Sequence, residues 1–228
     1  MCEKSNNDMS PTALTHHLLD QTIYLLPEKA MFWEEQGTLI IADVHLGKSG
    51  HFRKNGIAVP HAVNDQNLNK LSKLVHIWKP HTIIFLGDLF HSQFNDEWNA
   101  FKQWRIENEN IEIILTIGNH DILIEEAYTD LGIKVTDVHH SAPFSFIHDL
   151  DEVNKDSTHG FLISGHIHPS IKLKGKGRQS ITVPCFRFAE TYAVLPAFGH
   201  FTGTHRIEST IKDQVFGVVD SEIIPIVG

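Results

Sequence analysis

Polar side chains suited to metal binding and proton transfer follow each of five short apolar runs in this sequence of 228 residues. In chain order they are Asp43 and His45, Asp88, Asn119 and His120, His148, and His166 and His168. Carboxylate, amide and imidazole ligands without thiolates fit Mn²⁺, Fe or Zn²⁺ and do not select among these metals. A spacing of two residues puts both side chains of a pair on the same side of an extended segment. One pair is weak evidence for a metal site, but the ordered set is strong evidence.

The five apolar runs have the length and composition of strands that are buried on both faces of a sheet. They cover residues 38–42, 82–86, 111–117, 144–147 and 161–164. Because ligand sites of such sheets lie at the carboxyl ends of the strands, we expect the polar side chains to meet at one edge. Taken alone, the third block is also typical of a loop with a capping Asn119. The other four strand ends favour a metal site.

The five blocks resemble the signature of the calcineurin-like dinuclear metallophosphoesterases, which runs Asp-x-His, Gly-Asp, Gly-Asn-His-Asp/Glu, His and Gly-His-x-His. The chain also resembles the bacterial DNA ligase-associated metallophosphoesterases, often called the PdeM family. That second resemblance is carried by residues 42–48, 52–60, 86–92, 183–186 and 195–203. The similarity extends over about residues 18–220, nearly the whole chain.

The resemblance implies an α/β fold, the αββα sandwich of two mixed sheets flanked by helices. It implies one metal bound by Asp43, His45 and His168, a second bound by Asn119, His148 and His166, and Asp88 bridging both. A hydroxide between the two ions would attack the phosphodiester, because paired cations about 3.5–4 Å apart lower the pKa of shared water and clamp phosphate oxygens. Manganese is the first choice on family resemblance, with Fe or Zn as alternatives.

The resemblance and the residue types together indicate several further roles. His120 is expected to face the scissile phosphate, where it stabilises the transition state or protonates the leaving alkoxide. Asp121 either orients His120 or caps a helix that begins at Ile122, and we favour the cap. Related phosphatases often have an aspartate three residues beyond the bridging one, but this chain has His91, which we expect to face substrate. Arg53 is a candidate phosphate contact, although an ordinary surface arginine is an equally good interpretation.

The fourth block is the least certain of the five. His148 is chosen as the ligand because it directly ends an apolar run, whereas His139, His140 and His159 lie nearby without that feature.

Composition limits the partners and the setting. The formal charge of −9 does not favour a broad, sequence-independent grip on duplex DNA, which needs a basic face. The basic residues at 172–178 are more typical of a glycine-containing hairpin than of a phosphate-binding lip. Two cysteines give no disulfide framework, and no apolar run approaches the ~20 residues of a membrane helix. We expect a cytoplasmic protein with no membrane partner, a polar tail at 1–17 and a single domain at 18–228.

The remaining pattern predicts three helices followed mainly by strands. Helical spacing covers about 63–79, the aromatic residues from Trp98 to Trp104 predict a second helix after Asn95, and a third is expected at 122–131, ending before Gly132. Strands are expected at 181–183, 192–195, 215–219 and 223–226.

The predicted function is a metal-dependent phosphodiesterase, with nuclease activity as one form of it, linked to DNA repair and associated with DNA ligase and helicase. The alternatives are a hydrolase of a small cyclic nucleotide or nucleotide pyrophosphate, and an inactive scaffold of the same fold. The full set of ligand types together with His120 argues against the scaffold. The sequence leaves the natural substrate and the oligomeric state open.

Overall fold

A computed structural model describes residues 12–47, 62–91, 94–152, 159–200 and 202–226, with the backbone alone for 62–65. The described helices are α1 (Ala62–Trp78), α2 (Asp96–Glu107) and α3 (Glu125–Thr129). The strands divide between two mixed sheets, as the sequence predicted.

The first sheet has seven strands in chain order and carries the first three apolar runs. They are β1 (Leu14–Leu18), β2 (Gln21–Leu26), β3 (Ala30–Trp33), β4 (Thr38–Ala42), β5 (Thr82–Leu86), β6 (Glu112–Thr116) and β7 (Ile133–Thr136). Strands β4 to β7 are parallel, and their register places Ala42, Leu86 and Thr116 side by side. Three of the predicted site segments therefore leave the sheet at the same edge.

The second sheet has nine strands and carries the other two apolar runs. They are β8 (Val138–Ser141), β9 (Phe144–Ile147), β10 (Phe161–Ser164), β11 (Pro169–Lys174), β12 (Ser180–Phe188), β13 (Tyr192–Val194), β14 (His205–Arg206), β15 (Gln214–Val219) and β16 (Glu222–Ile226). Strands β9, β10 and β13 are parallel, which brings the ends of β9 and β10 together. The predicted hairpin at 172–178 is present as the turn between β11 and β12.

The central strands are apolar throughout because both of their faces are buried. In β4, Leu39 and Ile41 belong to the core formed with the helices, whereas Ile40 belongs to the core between the two sheets. The same alternation holds in β5 and β6. Residues from α1, α2 and α3 all contribute to the core on the outer face of the first sheet. This packing on both faces fixes the strand ends that carry the site.

The first two helices lie where the sequence predicted them, but the third is shorter than expected. Helix α2 begins after Asn95, whose side chain accepts a hydrogen bond from the Trp98 backbone N–H at 3.1 Å. Helix α3 spans only Glu125–Thr129 instead of 122–131. No side chain caps α3, because its N-cap position is occupied by the apolar Ile124.

The structure corrects the predicted limit of the N-terminal tail and leaves the predicted role of Arg53 untested. Strand β1 begins at Leu14, inside the segment predicted as a polar tail, because the backbone from Leu14 to Leu18 pairs with β2. Arg53 and its neighbours Lys48 and Lys54 lie outside the described residues, so the predicted phosphate contact stays a prediction. Within the described ranges, no helix has both the length and the apolar character that a bilayer crossing requires.

Candidate metal centre

The ends of β4, β5, β6, β9 and β10 bring the predicted ligands together between the two sheets. The carboxylates of Asp43 and Asp88 are buried, as are the imidazoles of His45 and His148, whereas Asn119 is exposed. The ring of His166 is about one third exposed. The cluster therefore lies at a mouth with a buried floor and an accessible rim.

Asp88 lies between two groups of side chains. One of its carboxylate oxygens is 3.7 Å from Nε2 of His45, and the other is 3.5 Å from Nε2 of His148. A carboxylate with one oxygen directed to each side is the arrangement that a bridging ligand requires.

The first group contains Asp43, His45 and His168. Nε2 of His168 is 3.4 Å from Oδ1 of Asp43 and 3.3 Å from Nε2 of His45. The three ligand atoms lie within 4.8 Å of one another, close enough for one cation to contact them all.

The second group contains Asn119, His148 and His166. Nε2 of His148 is 3.1 Å from Oδ1 of Asn119 and 3.0 Å from Nδ1 of His166. Asp43 also borders this group, because its carboxylate lies within 4.8 Å of ligand atoms of Asp88 and His148. Both carboxylates therefore lie close to the division between the two groups.

Hydrogen bonds on the outer side of three imidazoles orient the ligand nitrogens inward. His148 donates from Nδ1 to the carbonyl of Leu86 at 2.9 Å, and His168 donates from Nδ1 to the carbonyl of Gly203 at 3.0 Å. Nε2 of His166 lies 3.2 Å from a carboxylate oxygen of Asp149. Each ring then turns a lone pair toward the centre, where it faces other acceptors instead of donors. Converging acceptors of this kind fit divalent cations.

Asp149 is a residue that the sequence reasoning missed. Its second carboxylate oxygen accepts a hydrogen bond from the Asp151 backbone N–H at 3.0 Å, which holds the side chain in place. Its position directly after His148 could have identified it, because Asp43 and His45 were also recognised as neighbouring polar residues at the end of a strand.

The backbone is strained at five of the seven predicted ligands. Asp43, His45, Asp88, His166 and His168 have φ between 48° and 69°. This left-handed region costs residues other than glycine about 1–3 kcal/mol each, and such strain concentrates at functional sites. The surrounding sheets hold these residues in place despite that cost.

Two glycines of the motifs are needed for close approach to the ligands. A Cβ on Gly118 would collide with the carboxylate and backbone N of Asp88, and a Cβ on Gly165 would lie 2.7 Å from Oδ2 of Asp43. The glycines therefore let two carboxylates lie directly against a neighbouring strand end.

His120 lies at the rim, beside the first group of ligands. Its backbone N–H donates to Oδ1 of Asp88 at 2.9 Å, which fixes the residue relative to the centre. Its ring is exposed, with its centroid 5.7 Å from that of His45 and 4.1 Å from that of His91. His91 is thus a neighbour of His120 at the mouth, where the sequence predicted a substrate-facing residue.

Asp121 does not cap a helix, which corrects the favoured interpretation. Its carboxylate accepts hydrogen bonds from the backbone N–H groups of Phe90 at 3.0 Å and Gly118 at 2.9 Å, and from the Tyr128 hydroxyl at 3.3 Å. Burial raises the pKa of Asp121 to about 6 against the opposing effect of these N–H donors. The residue ties the loops after β5 and β6 together.

The neighbouring histidines that competed with His148 lie away from the cluster. The ring of His139 stacks on Phe146, and Nδ1 of His140 hydrogen-bonds to Oγ of Ser145 at 2.8 Å. His159 lies near His140, with ring centroids 6.0 Å apart. In this region the structure brings His148 alone to the side of Asp88.

Comparisons with known proteins agree with this geometry. The family model described as calcineurin-like phosphoesterase matches residues 38–175. The structure of Pseudomonas putida nuclease MPE is 27% identical with a TM-score of 0.78, covering 94% of this chain and 100% of that chain. No curated protein sequence matches this chain.

Two other structures are more distant and support no inference. The protein of unknown function AQ665 from Aquifex aeolicus is 18% identical with a TM-score of 0.41, covering 62% of this chain and 82% of that chain. YfcE, a phosphoesterase from E. coli, is 12% identical with a TM-score of 0.41, covering 82% of this chain and 96% of that chain.

The family model matches residues 38–175, more than half of the chain, and that range includes every predicted ligand from Asp43 to His168. This chain therefore belongs to the calcineurin-like phosphoesterase family and is a metal-dependent phosphoesterase.

Proposed function

We propose that this protein is a dinuclear phosphodiesterase that cleaves nucleic acid. The observation that carries the proposal is the position of Asp88, whose two carboxylate oxygens face separate sets of ligand atoms at 3.7 and 3.5 Å. One metal would be held by Asp43, His45 and His168, the other by Asn119, His148 and His166, and both by Asp88. When bound, two divalent ions would supply Lewis-acid stabilisation of the phosphate oxygens and would activate water.

The residues of the chain supply orientation and proton transfer. The backbone N–H of His120 is bonded to Asp88, so its ring is held at the mouth beside the position of the scissile phosphate. In this role it donates a proton to the leaving oxygen or a hydrogen bond to the developing charge. The ring of His91 lies beside it, with the two centroids 4.1 Å apart. Manganese is the proposed metal on the family resemblance, and iron and zinc are the alternatives, since a ligand set without thiolate fits all three.

Nucleic acid is the proposed substrate class because Pseudomonas putida nuclease MPE shares 27% identity and nearly the full length of the fold. We extend the proposal to a cytoplasmic role in DNA repair with a DNA ligase, based on the sequence resemblance described above. A cyclic nucleotide or a nucleotide pyrophosphate would react by the same chemistry. We therefore include both in the substrate panel.

The test is the substitution Asp88→Asn, which keeps the shape of the side chain and removes its charge. Wild-type protein with manganese should bind two ions per chain and hydrolyse bis(p-nitrophenyl) phosphate. The variant should lose at least one ion and at least about 10³-fold in kcat/KM, since the ions supply several kcal/mol of transition-state stabilisation. Metal content is measured by elemental analysis after desalting.

Asp130→Asn is the matched control, because Asp130 is exposed at the end of α3 and precedes the start of β7, at the sheet edge opposite to the strand ends that carry the ligands. Full activity with two bound ions in Asp88→Asn would overturn the proposal. Wild-type rates on single-stranded DNA, nicked duplex, 2′,3′-cyclic nucleotide and nucleotide pyrophosphate then decide the substrate class. Preference for either small molecule over DNA would reject the nuclease assignment.

A further inference from the structure

Two lysine ammonium groups converge on the loop beside the metal centre. Lys29 lies in the turn between β2 and β3, and Lys70 lies in α1. Nζ of Lys29 donates to the carbonyl of Gly199 at 3.1 Å, and Nζ of Lys70 donates to the carbonyl of Phe198 at 2.5 Å. The two positive charges therefore sit on consecutive peptide groups.

The backbone N–H groups of the same two residues contact the segment that carries Asp43. The backbone N–H of Phe198 donates to the carbonyl of Ala42 at 2.8 Å, and that of Gly199 donates to the carbonyl of Asp43 at 3.1 Å. The Phe198 carbonyl and the Gly199 N–H belong to the same peptide group, so one peptide group separates the ammonium of Lys70 from the backbone of Asp43. His200 follows in the loop and is exposed.

The lysine pair forms no ion pair within the described residues. Across the described residues, no carboxylate lies within 4.0 Å of either ammonium group. Glu28 raises the pKa of Lys70, but it is too far away to form an ion pair. Burial lowers the pKa of Lys29 to about 8, and burial together with Lys29 lowers the pKa of Lys70. Mostly buried cations of this kind are costly unless an anion pairs with them.

The ammonium groups also have donors to spare. Each carries three N–H donors, and each makes one hydrogen bond to a carbonyl within the described part of the chain. Lys70 gains further stabilisation from the ring of Phe198, whose centroid is 3.5 Å from Nζ. Both lysines are mostly buried, but neither is sealed from solvent. The unused donors are suited to the oxygens of a phosphate.

We propose that Lys29, Lys70 and His200 bind a second phosphate of the substrate, next to the one that is hydrolysed. The inference rests on the proposed phosphodiesterase function and narrows its substrate to molecules with neighbouring phosphates. A polynucleotide strand meets that requirement, whereas a cyclic nucleotide carries a single phosphate. A local cationic subsite also explains how a chain of net charge −9 holds a polyanion without a broad basic face.

The experiment compares a substrate with one phosphate, bis(p-nitrophenyl) phosphate, with a short single-stranded oligonucleotide. The variants are Lys29→Met, Lys70→Met and the double variant, because methionine fills a similar volume without charge. We expect KM for the oligonucleotide to rise about tenfold in each single variant, the usual loss for a charge-assisted hydrogen bond, with kcat unchanged. The salt dependence of log KM should weaken by about 0.7 per lysine removed.

Hydrolysis of bis(p-nitrophenyl) phosphate should be unchanged in every variant. Lys73→Met is the matched control, because Lys73 is exposed on the same helix, three residues after Lys70. An equal loss on both substrates would show that the lysines only hold the loop, and no loss on either would show that no phosphate binds there. Both results would overturn the inference.

The wild-type protein supplies a second test that does not depend on how the variants fold. Thymidine 3′,5′-bisphosphate should inhibit hydrolysis of bis(p-nitrophenyl) phosphate about tenfold more strongly than either thymidine monophosphate. Equal inhibition by all three nucleotides would reject the subsite. If wild-type protein with manganese fails to hydrolyse bis(p-nitrophenyl) phosphate at all, the proposed function itself has failed.

Discussion

Two neighbouring clusters in this protein have opposite chemistry. The metal centre gathers carboxylate, amide and imidazole acceptors that face one another at 3.0 to 3.7 Å. The lysine cluster gathers ammonium donors with no carboxylate within 4.0 Å in the described ranges. Only the peptide groups of Phe198 and Gly199 separate them. We expect cations to bind the first cluster and an anion to bind the second.

The clusters also differ in how the fold holds them. The ligands of the metal centre follow strand ends, and five of them have a left-handed backbone that the sheets enforce. The lysines reach their positions from a turn and a helix through long, flexible side chains. A divalent ion needs fixed ligand positions, whereas a phosphate accepts donors from many directions. The difference indicates that the metal centre is rigid and that the lysine side chains beside it can adjust to the phosphate they are proposed to bind.

The largest effect in this comparison should come from His120→Ala, which removes a group that borders the metal centre without belonging to its ligand set. We expect kcat on DNA to fall by ~10²–10⁴, with two ions still bound. If the ring protonates the leaving oxygen, the loss should be smaller for p-nitrophenolate, which leaves without a proton. Rates on both substrates and the metal content are measured on the same preparation.

His76→Ala is the control for His120→Ala, because His76 is exposed on α1. A variant at position 120 with full activity would exclude any chemical role for His120. Loss of metal in this variant would instead show that His120 is one of the metal ligands.

A smaller effect should follow Asp149→Asn, which tests how the acceptor cluster is oriented. The carboxylate of Asp149 lies 3.2 Å from Nε2 of His166 and directs Nδ1 toward the centre. Outer partners of this kind contribute 10- to 100-fold to metal affinity, so we expect a loss of roughly that size for the weaker of two manganese ions. Titration calorimetry on metal-free protein measures the affinity.

Asp151→Asn serves as the neighbour control for Asp149→Asn, since the exposed Asp151 contributes its backbone N–H to Asp149 and keeps that group when substituted. Unchanged affinity at position 149, in a variant that unfolds at the wild-type temperature, would mean that the contact with His166 is incidental.

Much of the metal centre was accessible from the sequence because its ligands follow strands that are apolar on both faces. Strands β4, β5, β9 and β10 begin and end at the predicted residues. Each of these strands is a continuous apolar run, and the change to polar residues and glycine marks where it ends. The strand ends determine which edge the polar side chains share. The prediction failed for Asp121, because the groups that its carboxylate binds, at Phe90 and Gly118, depend on how separate loops meet.

The lysine cluster was not accessible from the sequence. Lys29 is one basic residue in a turn, and Lys70 is one of several on an amphipathic helix, so neither position stands out by type or spacing. Their meeting depends on the loop at Phe198 and Gly199, which follows them by more than 100 residues. Sequence patterns indicate sites built from regular elements, but they miss sites built from long side chains that meet across the fold.

The last effect is on the free energy of unfolding, and it tests whether Lys29 is a cation without an ion-pair partner. Burial lowers its pKa from 10.5 to about 8, so the folded protein releases this proton at a lower pH than the unfolded chain does. The unfolded state then binds more protons between pH 8 and 10.5, and the free energy of unfolding rises with pH across that window. The contribution is on the order of 3 kcal/mol, and Lys29→Met should remove it.

Urea unfolding of metal-free protein at both ends of that window measures the effect, with Lys73→Met as the control. Lys70 and His200 also face this cluster with lowered pKa values and Glu28 lies beside it, so the difference between Lys29→Met and wild type is the quantity to compare. Adding thymidine 3′,5′-bisphosphate should reduce the rise in wild type, because a bound phosphate favours the charged amine. Identical pH dependence in wild type and Lys29→Met would show that Lys29 is not a cation without an ion-pair partner, and the contrast between the two clusters would then rest on Lys70 alone.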